Sequence, residues 1–285
     1  MMTFKEYIKV AWANHAKDPR GLASEFKLNF KLMVSEEDVL KMAHLIVHVC
    51  GEHLGDWQLG LELIKKIKNN AQIHDKAAMN RFKAILELGN NPQFPINHFS
   101  NSDQVQILSM TASALANLGG LKNAEKFLNS ANDLIPSLEG GDPAFKSLAV
   151  SGHNVAGVLL ELDHLSPVQS QLMIRSAVIS RTNWEKAGSW LEVERAEYHL
   201  AKVFLKIEKY EDGLKHAKLC REIIKNNGDV PLERFFACEI LAEAYKCLKK
   251  SEECEKFSNE MKETFPLLTP EDQVWCKESL DKIQS

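Results

Sequence analysis

Six cysteines are scattered over the 285 residues without a CxxC pair or zinc-finger spacing. Cys50, Cys220, Cys238, Cys247, Cys254 and Cys276 fall largely at apolar helical positions, so they read as reduced core thiols of a cytoplasmic protein. Alternating Val/Ile/Thr strand patterns joined by Asn-Gly or Asp-Gly turns are absent, and essentially no sheet is expected. No run approaches the roughly 20 apolar residues of a membrane helix. Lys5, Glu6 and Lys9 interrupt the first apolar stretch, so no signal-peptide core is expected and the chain predicts no membrane association. The formal charge is only -4, with both signs dispersed, whereas duplex phosphates recruit a basic face or stripe; nucleic acid is not an expected partner. No P-loop, nucleophile elbow or dinucleotide fingerprint occurs, so no enzyme and no cofactor are predicted. Gly119-Gly120 and Gly140-Gly141 each precede a helix and could seat a phosphate, but turn geometry accounts for them.

What remains is helical punctuation. None of the nine prolines interrupts a segment with helical periodicity. Pro19, Pro92, Pro95, Pro136 and Pro143 lie in connections, while Pro167 after Ser166 and Pro270 after Thr269 occupy a first helical turn, where a missing N–H costs nothing. Ser35 with Asp38 and Thr182 with Glu185 mark further starts. Apolar spacing between these marks predicts helices at 3–16, 20–32, 36–54, 57–69, 72–89, 102–118, 121–135, 143–163, 167–181, 183–207, 210–226, 231–248, 251–264 and 270–283. The one long irregular connection, GNNPQFPINHFSN from Gly89 to Asn101, reads as a packed spacer or a functional loop.

The helices repeat. Small residues at Ala112, Ala156, Ala201 and Ala242 are separated by 44, 45 and 41 positions. Between Leu108 and Pro136, Ala112, Ala124 and Ala131 sit where two antiparallel helices would touch. Leu108, Leu115, Leu121 and Leu128 would fill the wedge to the next pair, Gly119 turns the corner and Pro136 ends the second helix. Phe204, Tyr210, Gly213, Ala217 and Cys220 repeat these landmarks around Ala201, as do Tyr245, Cys254 and Ser258 around Ala242. Trp57 and Gly60 reproduce an earlier turn and second helix. This pattern resembles the tetratricopeptide repeat (TPR) family over roughly residues 36–264, in a long-repeat form like that of kinesin-light-chain-type and bacterial peptide-sensing proteins.

The resemblance implies an all-α, right-handed α-α superhelix, a TPR-like solenoid of antiparallel helix hairpins. Each neighbour in such a stack buries side chains worth about 1.5–3 kcal/mol apiece. Residues 1–35 would form N-terminal capping helices, 36–264 the repeats and 265–285 a C-terminal capping helix with a stripe of Val274, Trp275, Leu280 and Ile283. Phe4, Tyr7, Ile8, Ala11 and Trp12 make the first helix either a cap or a surface for a homodimer or other partner.

Function follows from the groove such a stack would present. The family's groove-facing positions in the first helix of each unit fall on Ser109 and Ser113, on His153 and Asn154, on Arg195, Tyr198, His199 and Lys202, and on Glu239 and Glu243. The middle of that groove would be basic and hydrogen-bonding, grading to acidic toward its C-terminal end. Arg, Asn and Tyr there suit an extended peptide or its carboxylate. Asn154 and Arg195 match the family's carboxylate clamp and His199 partly substitutes for its last member, but Ser109 and Ser113 replace the first Lys and Asn. The prediction is a non-catalytic scaffold for another protein or peptide ligand. The alternatives are a peptide-responsive regulator, or a metal-dependent enzyme or regulator using His44 and His48 with Glu52 on one helical face. That face lacks an HExxH arrangement, so no metal is predicted; the histidines at 15, 53, 74, 98, 164 and 216 show no convergent spacing.

Overall fold

The computed structural model describes residues 2–70 and 76–284, and among them are fourteen α-helices and no strand. They are α1 Phe4–Asn14, α2 Pro19–Asn29, α3 Glu36–Val47, α4 Trp57–Asn70, α5 Lys76–Asn90, α6 Asn101–Asn117 and α7 Leu121–Leu134. The second half holds α8 Pro143–Leu160, α9 Pro167–Ala187, α10 Trp190–Lys206, α11 Tyr210–Asn227, α12 Pro231–Cys247, α13 Ser251–Thr264 and α14 Pro270–Gln284. The expected start at 72 and His74 lie outside the described residues. Two compact units result, Met1–Ser151 and Gly152–Ser285, with the boundary inside α8 and so inside the region read as repeats.

Caps explain most of the boundaries. The Ser35 hydroxyl accepts from the Asp38 N–H at 3.2 Å while the Asp38 carboxylate accepts from the Ser35 N–H at 3.2 Å. Pro19, Pro143 and Pro231 join Pro167 and Pro270 at first helical positions, so two prolines assigned to connections in fact open helices. The break expected at Thr182 lies seven residues later. There the Ser189 hydroxyl accepts from the Leu191 N–H at 3.2 Å and the Glu192 carboxylate accepts from the Ser189 N–H at 2.7 Å. Thr182 has a cap's composition, but its acidic partner Glu185 is held by Arg181 at 2.8 Å and α9 runs on to Gly188.

Three hairpin corners are built alike. Gly119 (φ 80°), Glu208 (φ 60°) and Lys249 (φ 57°) are all left-handed. Each stands seven residues beyond the small residue of its first helix, Ala112, Ala201 or Ala242. At each corner the next N–H returns five residues: Gly120 to Leu115 at 2.7 Å, Lys209 to Phe204 at 2.9 Å and Lys250 to Tyr245 at 2.9 Å. This is the Schellman closure, which satisfies carbonyls left over at a helix end. Between α8 and α9 no residue is left-handed, and the repeat loses register there. Ala112, Ala156, Ala201, Ala217, Ala124 and Ala131 are completely buried, so the recurring small residues do mark tight packing.

In the N-terminal unit α1 turns Phe4, Tyr7 and Ala11 inward. Phe94, Ile96 and Pro92 of the 91–100 connection line a shallow cavity with Leu108 and Phe127. Helix α3 ends earlier than expected, in a π-helical turn at His48–His53 with the Leu54 N–H bonded to the Val49 carbonyl at 3.0 Å. Two contacts hold the turn: Asn117 of α6 donates to the Glu52 carbonyl at 2.8 Å, and the Trp57 indole lies between Gly51 and Gly89. A Cβ would stand 2.8 Å from that ring at Gly51 and 2.4 Å at Gly89, so only glycine fits either place. In the C-terminal unit one core gathers Ala201, Leu205, Leu214, Ala217, Ile240, Leu241, Ala244 and Tyr245. A second gathers Phe235, Cys238, Met261, Leu268, Cys276 and Leu280, docking α14 on α12 and α13.

Candidate functional site

Within the C-terminal unit, the last turns of α8 together with α10, α12 and α14 line a cleft of about 750 Å³. His153, Arg195, Tyr198, His199, Lys202 and Glu239 all border it. Asn154 is half-buried and is not among the lining residues. Ser109 and Ser113 belong to the N-terminal unit and are buried there. The Ser109 and Ser147 hydroxyls pair at 2.9 Å, and the Ser113 hydroxyl donates to Glu52 at 3.5 Å. Their small volume suits the contact between helices, which corrects the expectation that they face a groove.

Hydrogen bonding ties the cleft's wall together. Arg195 donates from Nη2 and Nε to Glu233 at 2.6 and 3.3 Å, so the fork expected to seize a ligand carboxylate already holds one from α12. The Tyr198 hydroxyl donates to Glu239 at 2.7 Å, and Lys202 lies over the Tyr198 ring at 5.5 Å. Burial, and then the neighbouring Glu239 charge, raises the Tyr198 phenol. Beneath Arg195, Glu194 accepts the Cys220 thiol proton at 2.7 Å. Burial, reinforced by the like charge of Glu233, pushes Glu194 up to about 8, so it carries its proton at neutral pH. Burial lowers His199 to about 3, with His153 and Lys202 adding to the effect. The His153 and His199 rings meet at a 56° tilt with centroids 4.1 Å apart, and burial lowers His153 as well.

The charge gradient runs opposite to the expected one. With Glu194 protonated, the carboxylates of Glu161, Glu233 and Glu239 only balance the cations Arg195, Lys202 and Lys282 in the first cleft. A second cleft of about 720 Å³, which contains Glu243, is lined by Lys202, Lys246, Lys249, Lys250, Lys262 and Lys282. First-helix positions alone missed these lysines because corners, α13 and α14 supply most of them.

Sequence reasoning also missed the apolar rim. Trp275 remains 65% exposed with its ring 5.0 Å from that of Phe236, and Leu232 and Leu160 continue the surface. The stripe read along α14 divides: Leu280 is buried beside Cys276, whereas Val274 and Trp275 point outward, and the Ile283 side chain lies outside the described residues. The signal was the four-residue spacing of Cys276 and Leu280, which sets the buried face and leaves Trp275 off it.

The histidine pair is redistributed too. His44 packs its ring against Trp12 (5.5 Å) and Phe82 (6.2 Å) and is not one of the histidines that converge. His48 instead converges with His15 and His53, each offering a ring nitrogen within 4.8 Å of the others.

No family model matches the chain, and no curated protein does. The crystal structure of BtubC (BKLC) from P. vanneervenii is similar to it. The likeness covers 93% of this chain and 91% of that one with a TM-score of 0.52 at 13% identity, and at that identity it speaks for the fold alone. Among the described residues no helix is long and apolar enough to cross a membrane.

Proposed function

We propose that this chain is a non-catalytic, cytoplasmic protein-binding scaffold. Its C-terminal cleft receives a peptide or partner helix that inserts an apolar or aromatic side chain beside Trp275. The hairpins are read as tetratricopeptide-type units of a right-handed superhelix. Three corners of one design and the fold likeness to BtubC support that reading. Six unpaired thiols fit a reducing compartment.

The observation that carries the binding proposal is the exposed Trp275 ring beside Phe236, bordering a cleft lined by both charged and apolar side chains. Exposed tryptophan is a costly surface residue, and interface energy concentrates on such aromatic anchors. Because Glu233 occupies Arg195, recognition of a free carboxylate is disfavoured. A charge-balanced first cleft beside a lysine-rich second one suits a ligand with an apolar anchor and acidic groups beyond it.

Phage-displayed peptides selected on the full chain provide the test. Enriched sequences should share an apolar anchor followed by acidic residues. Trp275→Ala should weaken their binding by roughly thirtyfold, as for an interface hot spot, with an unchanged melting temperature. Equal affinity for the wild type and Trp275→Ala would refute the assignment.

A further inference from the structure

The π-turn that ends α3 has a chemical consequence. Five residues advance an α-helix by about 140° past a full turn, which would set His48 and His53 on different faces. The i→i+5 closure of a π-turn returns them to one face. Their Nε2 atoms stand 3.1 Å apart. Two imidazole nitrogens bound to one tetrahedral zinc at the usual bond length stand about 3.3 Å apart, so this spacing is that of a chelating pair.

The remaining geometry prepares the same point in space. His15, at the C-terminal end of α1, brings a third ring, with centroids 4.8 Å from His48 and 4.9 Å from His53. The His15 Nδ1 bonds the Trp12 carbonyl, which requires a proton on Nδ1 and leaves Nε2 its lone pair. At His48, Nδ1 meets the Glu52 carboxylate at 3.1 Å, the carboxylate–imidazole arrangement that orients a ligating histidine. Glu52 is itself placed by α6, through the Ser113 hydroxyl and through Asn117 on its carbonyl. All three rings are half-buried and therefore open to an entering ion.

We propose that His15, His48 and His53 form a three-imidazole site for a divalent transition-metal ion of the zinc class, completed by solvent. Imidazole ligands favour zinc, copper and nickel over calcium or magnesium. On entry the ion replaces the hydrogen bond between His53 and His48; the His53 proton moves from Nε2 to Nδ1 through solvent, and no net charge leaves the protein. The site lies in the N-terminal unit and does not depend on the cleft reading.

The test uses the full chain purified without an affinity tag and stripped by chelator, titrated with Zn²⁺ alone by calorimetry and with Co²⁺ by visible absorption. One ion per chain and the intense cobalt bands of four-coordinate geometry are expected, with a zinc-dependent rise in melting temperature. His15→Ala and His53→Gln should each remove the bands and the rise while keeping wild-type helicity. His44→Ala should keep both, and Glu52→Gln should weaken zinc about tenfold. If a substituted chain fails to fold, the wild-type titration and His44→Ala still decide. Absence of cobalt bands in the wild type, or their loss in His44→Ala, overturns the proposal, as does their persistence in His15→Ala.

Discussion

Arg195 reaches from α10 to grip Glu233 of α12 with two hydrogen bonds, although the arginine side chain is 57% exposed and the glutamate 7%. The pair is asymmetric: solvent can replace the carboxylate around arginine but not the guanidinium around glutamate.

Arg195→Ala therefore destabilises the chain by leaving a buried carboxylate unpaired, by about 2 kcal/mol. Urea unfolding of the single mutant and of Arg195→Ala/Glu233→Gln checks this. The double mutant should recover most of the loss, because the unpaired charge is then gone. An Arg195→Ala midpoint equal to that of the wild type would mean that the bond contributes nothing.

Stability should also depend on pH through Glu194. Its folded value of about 8 lies above the ordinary 4.5, so in that window the native chain holds a proton that the unfolded chain has lost. This contribution is complete below 4.5 and disappears as pH rises to 8. Glu194→Gln removes that slope, and the variant should gain on the wild type as pH climbs from 5 toward about 8 in a series of thermal melts. His199 works with the other sign: lowered from 6.5 to about 3, its contribution is complete above 6.5 and is lost on acidification. Above pH 6.5 the Glu194 slope is thus read without the His199 one. A wild type and Glu194→Gln with parallel profiles would show that the carboxyl ionises normally.

Glu208→Gly should raise stability by about 1 kcal/mol, since a left-handed backbone strains any residue with a Cβ. Glu208 holds φ at 60°, where Gly119 occupies the matching place of another corner. Denaturant midpoints settle the sign: a lower midpoint for Glu208→Gly would mean that the side chain outweighs the strain.

Helices were largely legible in the sequence because they announce themselves locally. Ser35 with Asp38, Pro167 after Ser166 and the recurring alanines depend on neighbours within one or two turns, and these features reappear in the structure. The candidate site was only partly legible, because it depends on what stands opposite. Arg195 and Tyr198 border the cleft, yet their partners Glu233 and Glu239 arrive from a helix 38 and 41 residues away. Ser109 was placed by the same positional rule and proved buried, because its facing residue, Ser147, is small enough to let the helices close. His15 was invisible for the same reason: no periodicity joins α1 to the end of α3.

The π-turn at His48–His53 shows how much one residue of phase can matter. An uninterrupted α3 would hold the same histidines in the same order and yet hold their rings apart. The chemistry of that corner is thus recorded in backbone pitch rather than in composition, and related chains can gain or lose it through a single insertion or deletion without exchanging any imidazole.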